Sequence, residues 1–166
     1  MNAAEAKAIA NFLLAEMAGE ASTTTRLFGA VPGGRLDYKP DASAKSALGL
    51  LRHITLEDKW LLTSIADGKF VPPPDDSDAC GIMTPQNAIA RYNERVPPAM
   101  ERVKALSGDD LLRQLDLLGV MQMPAIQFLS LAVKHSVHHR GQLSSYLRPM
   151  GGKVPGIYGP TADTPM

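Results

Sequence analysis

Apolar side chains recur along the chain at helical spacing in four long stretches, while no stretch shows strand alternation strong enough for a sheet. The first, from about Ala4 to Phe28, places Ile9, Leu13, Met17 and Leu27 on one face, softens at Ser22-Thr23-Thr24-Thr25, and ends at Val31-Pro32-Gly33-Gly34. Ser43 reads as the N-cap of a second helix that runs to about Asp67, where Gly68 stops it. Its stripe is Leu50, His53, Leu56 and Trp60. The segment Val71-Pro72-Pro73-Pro74-Asp75-Asp76-Ser77-Asp78 cannot continue a helix and reads as a long connection crossing a bundle from end to end.

A third helix is predicted from Thr84, with Pro85 in its first turn and Ile89, Tyr92 and Val96 buried. Pro97-Pro98 removes two backbone donors, which predicts a kink or split before the helix resumes through Met100, Val103 and Leu106. Ser107-Gly108-Asp109-Asp110 looks like the cap of a short helix carrying Leu111, Leu112 and Leu115. The last long helix is predicted from near Pro124 to Pro149, with a stripe of Phe128, Leu131, Ala132, His135, His139, Leu143 and Tyr146. Gly141 in its middle implies close approach by another helix. The tail from Lys153 to Pro160 is extended by composition, and no internal repeat is present. These elements make an all-α bundle of four long helices and one short one.

With 166 residues, nearly half of them apolar, the chain is expected to be one domain, residues 1–166, with an extended C-terminal tail from about 152. Seventeen basic residues balance seventeen acidic ones without a block of one sign, so neither nucleic acid nor an anionic membrane finds an electrostatic footprint. No apolar run is long enough to span a bilayer, and the N-terminus lacks the pattern of a signal peptide. Cys80 is the only cysteine, which excludes an internal disulfide and suits a cytoplasmic location. It has no basic neighbours in sequence and reads as inert, and the methionines read as core filler.

The histidines change the picture. Three of the four lie within Lys134-His135-Ser136-Val137-His138-His139-Arg140, and both His135 and His139 interrupt an otherwise apolar seam. Residues four apart stack one helical turn from each other, so both imidazoles can face one ion. Two imidazoles gain nothing by packing together, and each needs its nitrogens satisfied. His53, on the apolar face of the second helix, could supply a third nitrogen. Three neutral imidazoles with an open fourth position let a divalent ion activate water or bind a sulfur or oxygen of a substrate.

His138 lies to the other side of His135 and reads as a flank residue or a donor behind the ligands. Glu57, one turn after His53, reads either as a carboxylate facing the same cavity, as ligand or base, or as an exposed glutamate. Gln142, one turn beyond His139, can hydrogen-bond a ligand, whereas Arg140 points elsewhere and serves a surface or interhelix contact. Trp60 and Tyr146 pack in the core or line a pocket beside the ion. Tyr158 can fold back over the open end of the bundle.

The Leu51-Arg52-His53-Ile54 segment, the His135-x-x-x-His139-Arg140-Gly141-Gln142 motif and the order of the helices between them resemble the DinB-like superfamily of metal-binding four-helix bundles. The resemblance covers most of the chain. It implies an up-down-down-up four-helix bundle with an additional short helix and a long crossover, and it maps the ligands of a three-histidine site onto His53, His135 and His139. Related branches include transferases and isomerases that use a low-molecular-weight thiol such as bacillithiol or mycothiol. The expectation is a metal-dependent enzyme holding one zinc or nickel ion and acting on an unknown small molecule, as a hydrolase or as a thiol S-transferase with the thiol as co-substrate. The rival expectations are a non-catalytic metal-binding or structural bundle and, last, a bundle holding haem. Homodimerisation is compatible with the family, but no exposed stripe marks the interface.

Overall fold

The computed structural model describes residues 1–165 and places five α-helices, two short 3-10 turns and one small antiparallel hairpin along the chain. Helix α1 (Ala3–Gly29) starts at a capping box, in which the Asn2 side chain accepts from Glu5 N while the Glu5 carboxylate accepts from Asn2 N. Helix α2 (Ala47–Asp67) is capped by Ser46 and ends at Gly68, whose positive φ of 69° closes the last turn without a Cβ clash. Helix α3 (Pro85–Lys104) follows Thr84 as N-cap with Pro85 at its first position. Helix α4 (Gly108–Leu112) is held by a reciprocal Ser107–Asp110 cap, strands β1 (Gln114–Leu117) and β2 (Met121–Pro124) pair with Leu115 opposite Met123, and α5 (Ala125–Leu147) completes the fold.

The side-chain contacts fix the topology. Lys7 near the start of α1 donates to the carbonyls of Lys104 and Leu106 at the end of α3, so these two helices are antiparallel. Arg102 of α3 pairs with Asp67 of α2 at 2.5 Å, joining two C-terminal ends, so α2 and α3 are parallel. Tyr146 of α5 donates to Lys45 O before α2, and Ser136 donates to Asp58 further along it, so α5 runs against α2. The result is the up-down-down-up order. Each of α1 and α2 packs on both α3 and α5, which puts α1 and α2 on opposite corners of the bundle.

Because α2 and α3 are parallel, residues 68–84 must return the full length of the bundle. Arg52, buried on α2, clamps that crossover by donating from Nε to Ile82 O at 2.8 Å and from Nη2 to Asp78 Oδ1 at 2.6 Å. The middle of the bundle is a continuous apolar core in which Phe28 meets Tyr92 edge-on at 5.9 Å and Phe70 meets Phe128 at 4.7 Å. No helix among the described residues is long and apolar enough to cross a membrane.

Several expectations from sequence are corrected. Ser46, not Ser43, caps α2; Ser43 is spent on an Asp41 turn before the helix begins. Helix α3 runs unbroken through Pro97-Pro98, because both prolines and the Asn93 and Glu94 carbonyl positions they leave without donors face solvent, while Val96, Ala99 and Val103 bury the opposite face. A small sheet exists: Leu115, expected on the short helix, is buried in β1 instead. Ile9 faces solvent, and Gly141 meets open space rather than a neighbouring helix. Of the two roles that the sequence left open to Arg140, the structure shows the interhelix one: the residue is almost fully buried and pairs with Glu20 of α1.

Candidate metal centre

The antiparallel packing of α2 on α5 brings His53 against His135 and His139. The ring centroids lie 5.0 Å apart for His53 and His135, 4.3 Å for His53 and His139, and 4.5 Å for His135 and His139. One nitrogen from each ring falls within 4.8 Å of the other two, and Glu57 is not a member of that group. His53 Nε2 and His139 Nε2 approach to 3.1 Å. A tetrahedral ion about 2.0–2.1 Å from its nitrogens holds them about 3.3 Å apart, so this pair already has the required separation.

The protonation chemistry fits the same group. His139 Nδ1 lies 3.0 Å from Gln142 Oε1, an acceptor, so Nδ1 carries the proton and Nε2 presents its lone pair toward His53. Burial, reinforced by His139 and Lys45 and opposed by Asp76, pushes His53 down to about 4. Burial, with His139, His53 and His138 adding to it, pushes His135 down to about 3. His139 is lowered as well, burial outweighing the contribution of Gln142. All three rings are therefore neutral at neutral pH, the state a metal ligand requires. His135 also keeps a buried Nδ1 with no hydrogen-bond partner among the described residues. An unmet ring nitrogen beside two other imidazoles suits a centre that something outside the chain completes.

Around this group the structure distributes the remaining candidates. His138 is exposed, with its ring edge-on to His139 at 4.8 Å, and lies outside the three-nitrogen cluster. Glu57 is half-buried; burial raises its carboxyl, and it feels the charges of Lys45 and Asp76, the same two that act on His53. Lys45 and Asp76 pair with each other at 2.9 Å and were not apparent from sequence. Tyr146 packs edge-on against Tyr38 at 5.6 Å. Trp60 turns toward the crossover, donating to Val71 O at 3.0 Å. Tyr158 hydrogen-bonds Arg140 and Glu20, the latter at 3.1 Å.

Sequence reasoning missed Asp58. This carboxylate is fully buried and accepts from Ser136 Oγ at 2.8 Å and Tyr92 Oη at 3.0 Å, bridging α2, α5 and α3 beside the histidines. Burial, opposed by those two hydrogen bonds and by Arg140, pushes it up to about 7. Its other oxygen has no partner among the described residues. The only sequence signal was a carboxylate one position after Glu57, which does not separate a buried acid from an exposed one.

The model of the family described as DinB family matches residues 5–165. The chain is 26% identical over 144 residues to the uncharacterized protein YjoA of Bacillus subtilis strain 168, covering 85% of this chain and 90% of that protein. It is 29% identical over 146 residues to the uncharacterized protein YrdA of the same organism, covering 87% of this chain and 84% of that one. The crystal structure of a DinB-like protein from Bacillus cereus ATCC 10987 superposes with a TM-score of 0.73 at 22% identity, covering 88% of this chain and 95% of that chain.

Proposed function

The chain belongs to the DinB family, and from that premise and the geometry of its histidines we propose that it is a metal-dependent enzyme holding one divalent ion, zinc or nickel, on His53, His135 and His139. The observation that carries the reading is the convergence of three neutral imidazole nitrogens from two antiparallel helices within 4.8 Å. No carboxylate or thiolate belongs to that group, so a bound ion would keep its full positive charge. Such an ion supplies Lewis-acid activation of a small nucleophile, a water for hydrolysis or a low-molecular-weight thiol for transfer to an electrophile. The chain's own residues do the rest. Gln142 holds the His139 proton on Nδ1 and so aims Nε2 inward. Glu57, its carboxyl raised by burial, is the side chain suited to take up and release a proton beside the centre.

Metal content measured on purified protein and on single alanine variants tests the proposal. We expect about one equivalent of a divalent ion, lost in His53→Ala, His135→Ala and His139→Ala and retained in His138→Ala. Gln142→Ala, which frees the His139 tautomer, should lower metal affinity by about 10–100-fold in chelator competition. Hydrolysis or thiol transfer that survives complete metal removal would overturn the enzymatic part. A non-catalytic metal-binding bundle is the second reading, favoured by the absence of a carboxylate from the three-nitrogen group among the described residues. It predicts bound metal whose removal lowers thermal stability, with no turnover in either screen.

A further inference from the structure

Helices α2 and α3 lie side by side and parallel, and the crossover returns along the groove between them. Beneath its proline stretch the three segments line an open-sided cavity of about 320 Å³, a size that suits a small organic ligand. None of the three histidines lines it. One wall is apolar: Leu56 and Trp60, one helical turn apart on α2, face Pro72 of the crossover. The Trp60 ring is held in place, with its indole N–H on Val71 O at 3.0 Å and its plane steeply inclined to Phe70 at 5.3 Å, so it offers a preformed aromatic surface.

The other wall is cationic. Arg91 and Arg95, again one turn apart on α3, line the same cavity as Lys59 of α2. Arg95 pairs with Glu94 at 3.1 Å on the exposed side of its own helix, whereas Lys59 and Arg91 have no ion-pair partner among the described residues. Three cations around one concave, partly apolar space raise its potential, because low-dielectric walls focus the field. Thr55, one turn before Lys59, also lines the cavity, with its hydroxyl buried behind the wall. A cavity with three cations on one side and a fixed indole on the other suits a negatively charged group joined to an apolar body.

We propose that this groove binds a small amphipathic anion, with its carboxylate, sulfonate or phosphate on Arg91, Arg95 and Lys59 and its flat or aliphatic body against Trp60 and Leu56. The site does not depend on an ion at the histidines. Its failure would leave the metal centre untouched, and the reverse holds as well.

Trp60 is the only tryptophan in the chain, so its emission reports on this cavity. The experiment titrates the full chain, with and without added zinc, with anilinonaphthalene sulfonate and with N-phenylnaphthylamine, which has the same aromatic body without the sulfonate. Saturable quenching of Trp60 at one equivalent of the sulfonate is expected, equal in both metal conditions, with the neutral probe on the order of tenfold weaker. Arg91→Gln and Lys59→Gln should each weaken the sulfonate by a similar factor, while Lys134→Gln, an exposed cation on α5, should leave it unchanged. Equal affinity for the two probes, equal affinity in the Arg91 and Lys59 variants, or no saturable quenching would each overturn the proposal. The comparison of probes uses the wild-type chain alone and decides the matter should a variant melt early.

Discussion

At Asp58, burial pushes the carboxyl up to about 7, so the folded protein keeps a proton there at pH values where the unfolded chain has released it. Stability from this residue is therefore complete below about pH 4 and is lost as pH rises through about 7. His53 and His135 have the opposite sign. Their folded values of about 4 and about 3 lie below the ordinary imidazole range, so the unfolded chain binds more protons between those values and about 6.5. Their contribution is present above about pH 6.5 and is lost as pH falls toward 4. In the metal-free protein the two effects oppose each other over the same window and flatten the pH profile. Asp58→Asn keeps a side-chain carbonyl to accept from Ser136 or Tyr92 but removes the ionisation. We expect this variant to gain stability steeply from pH 4.5 to 6.5 and to exceed wild type above pH 7 by on the order of a few kcal/mol. Urea melts of metal-free protein at four pH values check this; parallel curves for the two proteins would mean that Asp58 does not titrate in that range.

Single elements show how far local chemistry speaks for itself. The β1–β2 turn needs positive φ at both central residues, and the chain supplies Leu118 at 52° followed by Gly119 at 78°. Leucine is a poor residue for that conformation and is half-exposed here, so it gains little packing in return. Leu118→Asn, which places the favoured asparagine before Gly119, should raise stability by about 1 kcal/mol, read as a higher melting temperature with unchanged helical signal. The same leucine explains why the hairpin was invisible in the sequence: four-residue strands offer too little alternation, and no Asn-Gly or Asp-Gly announced the turn. Where caps are local the sequence was legible, as at Thr84-Pro85, Ser107–Asp110 and Gly68. Two serines three residues apart before α2 were not separable, since the choice depends on the Asp41 turn that occupies Ser43. Within the site, His135 and His139 stood out through their spacing on one helix. His53 joined them through family resemblance and its place on the α2 stripe. Asp58 has no local signature, because Ser136 and Tyr92, which give it meaning, come from two other helices.

Across the whole molecule, Arg140 does for the α1–α5 side what Arg52 does for the crossover. Its guanidinium, almost fully buried next to His139 in sequence, donates to Glu20 O at 3.2 Å and Thr24 Oγ1 at 3.3 Å, pairs with the Glu20 carboxylate, and receives the tail at Tyr158 Oη. Three remote segments thus meet on one side chain, and the seating of α5 against α1 bears on how His135 and His139 are presented to α2. Truncation as Arg140→Ala takes the cation from the Glu20 carboxylate, which keeps only the Tyr158 hydroxyl as a donor, and should cost about 3–5 kcal/mol. Replacing both charges, as Arg140→Met with Glu20→Gln, removes the stranded partner and should recover most of that loss. Tyr158→Phe removes only contacts of a largely exposed ring and should cost about 1 kcal/mol or less. Metal affinity separates a pin from a mere ion pair. If Arg140 fixes the register of α5, Arg140→Ala should weaken metal binding while Tyr158→Phe leaves it intact, both measured by chelator competition below the melting temperature. Unchanged affinity in folded Arg140→Ala would confine the residue to the α1 side and leave the presentation of the histidines to the packing of α2 on α5 alone.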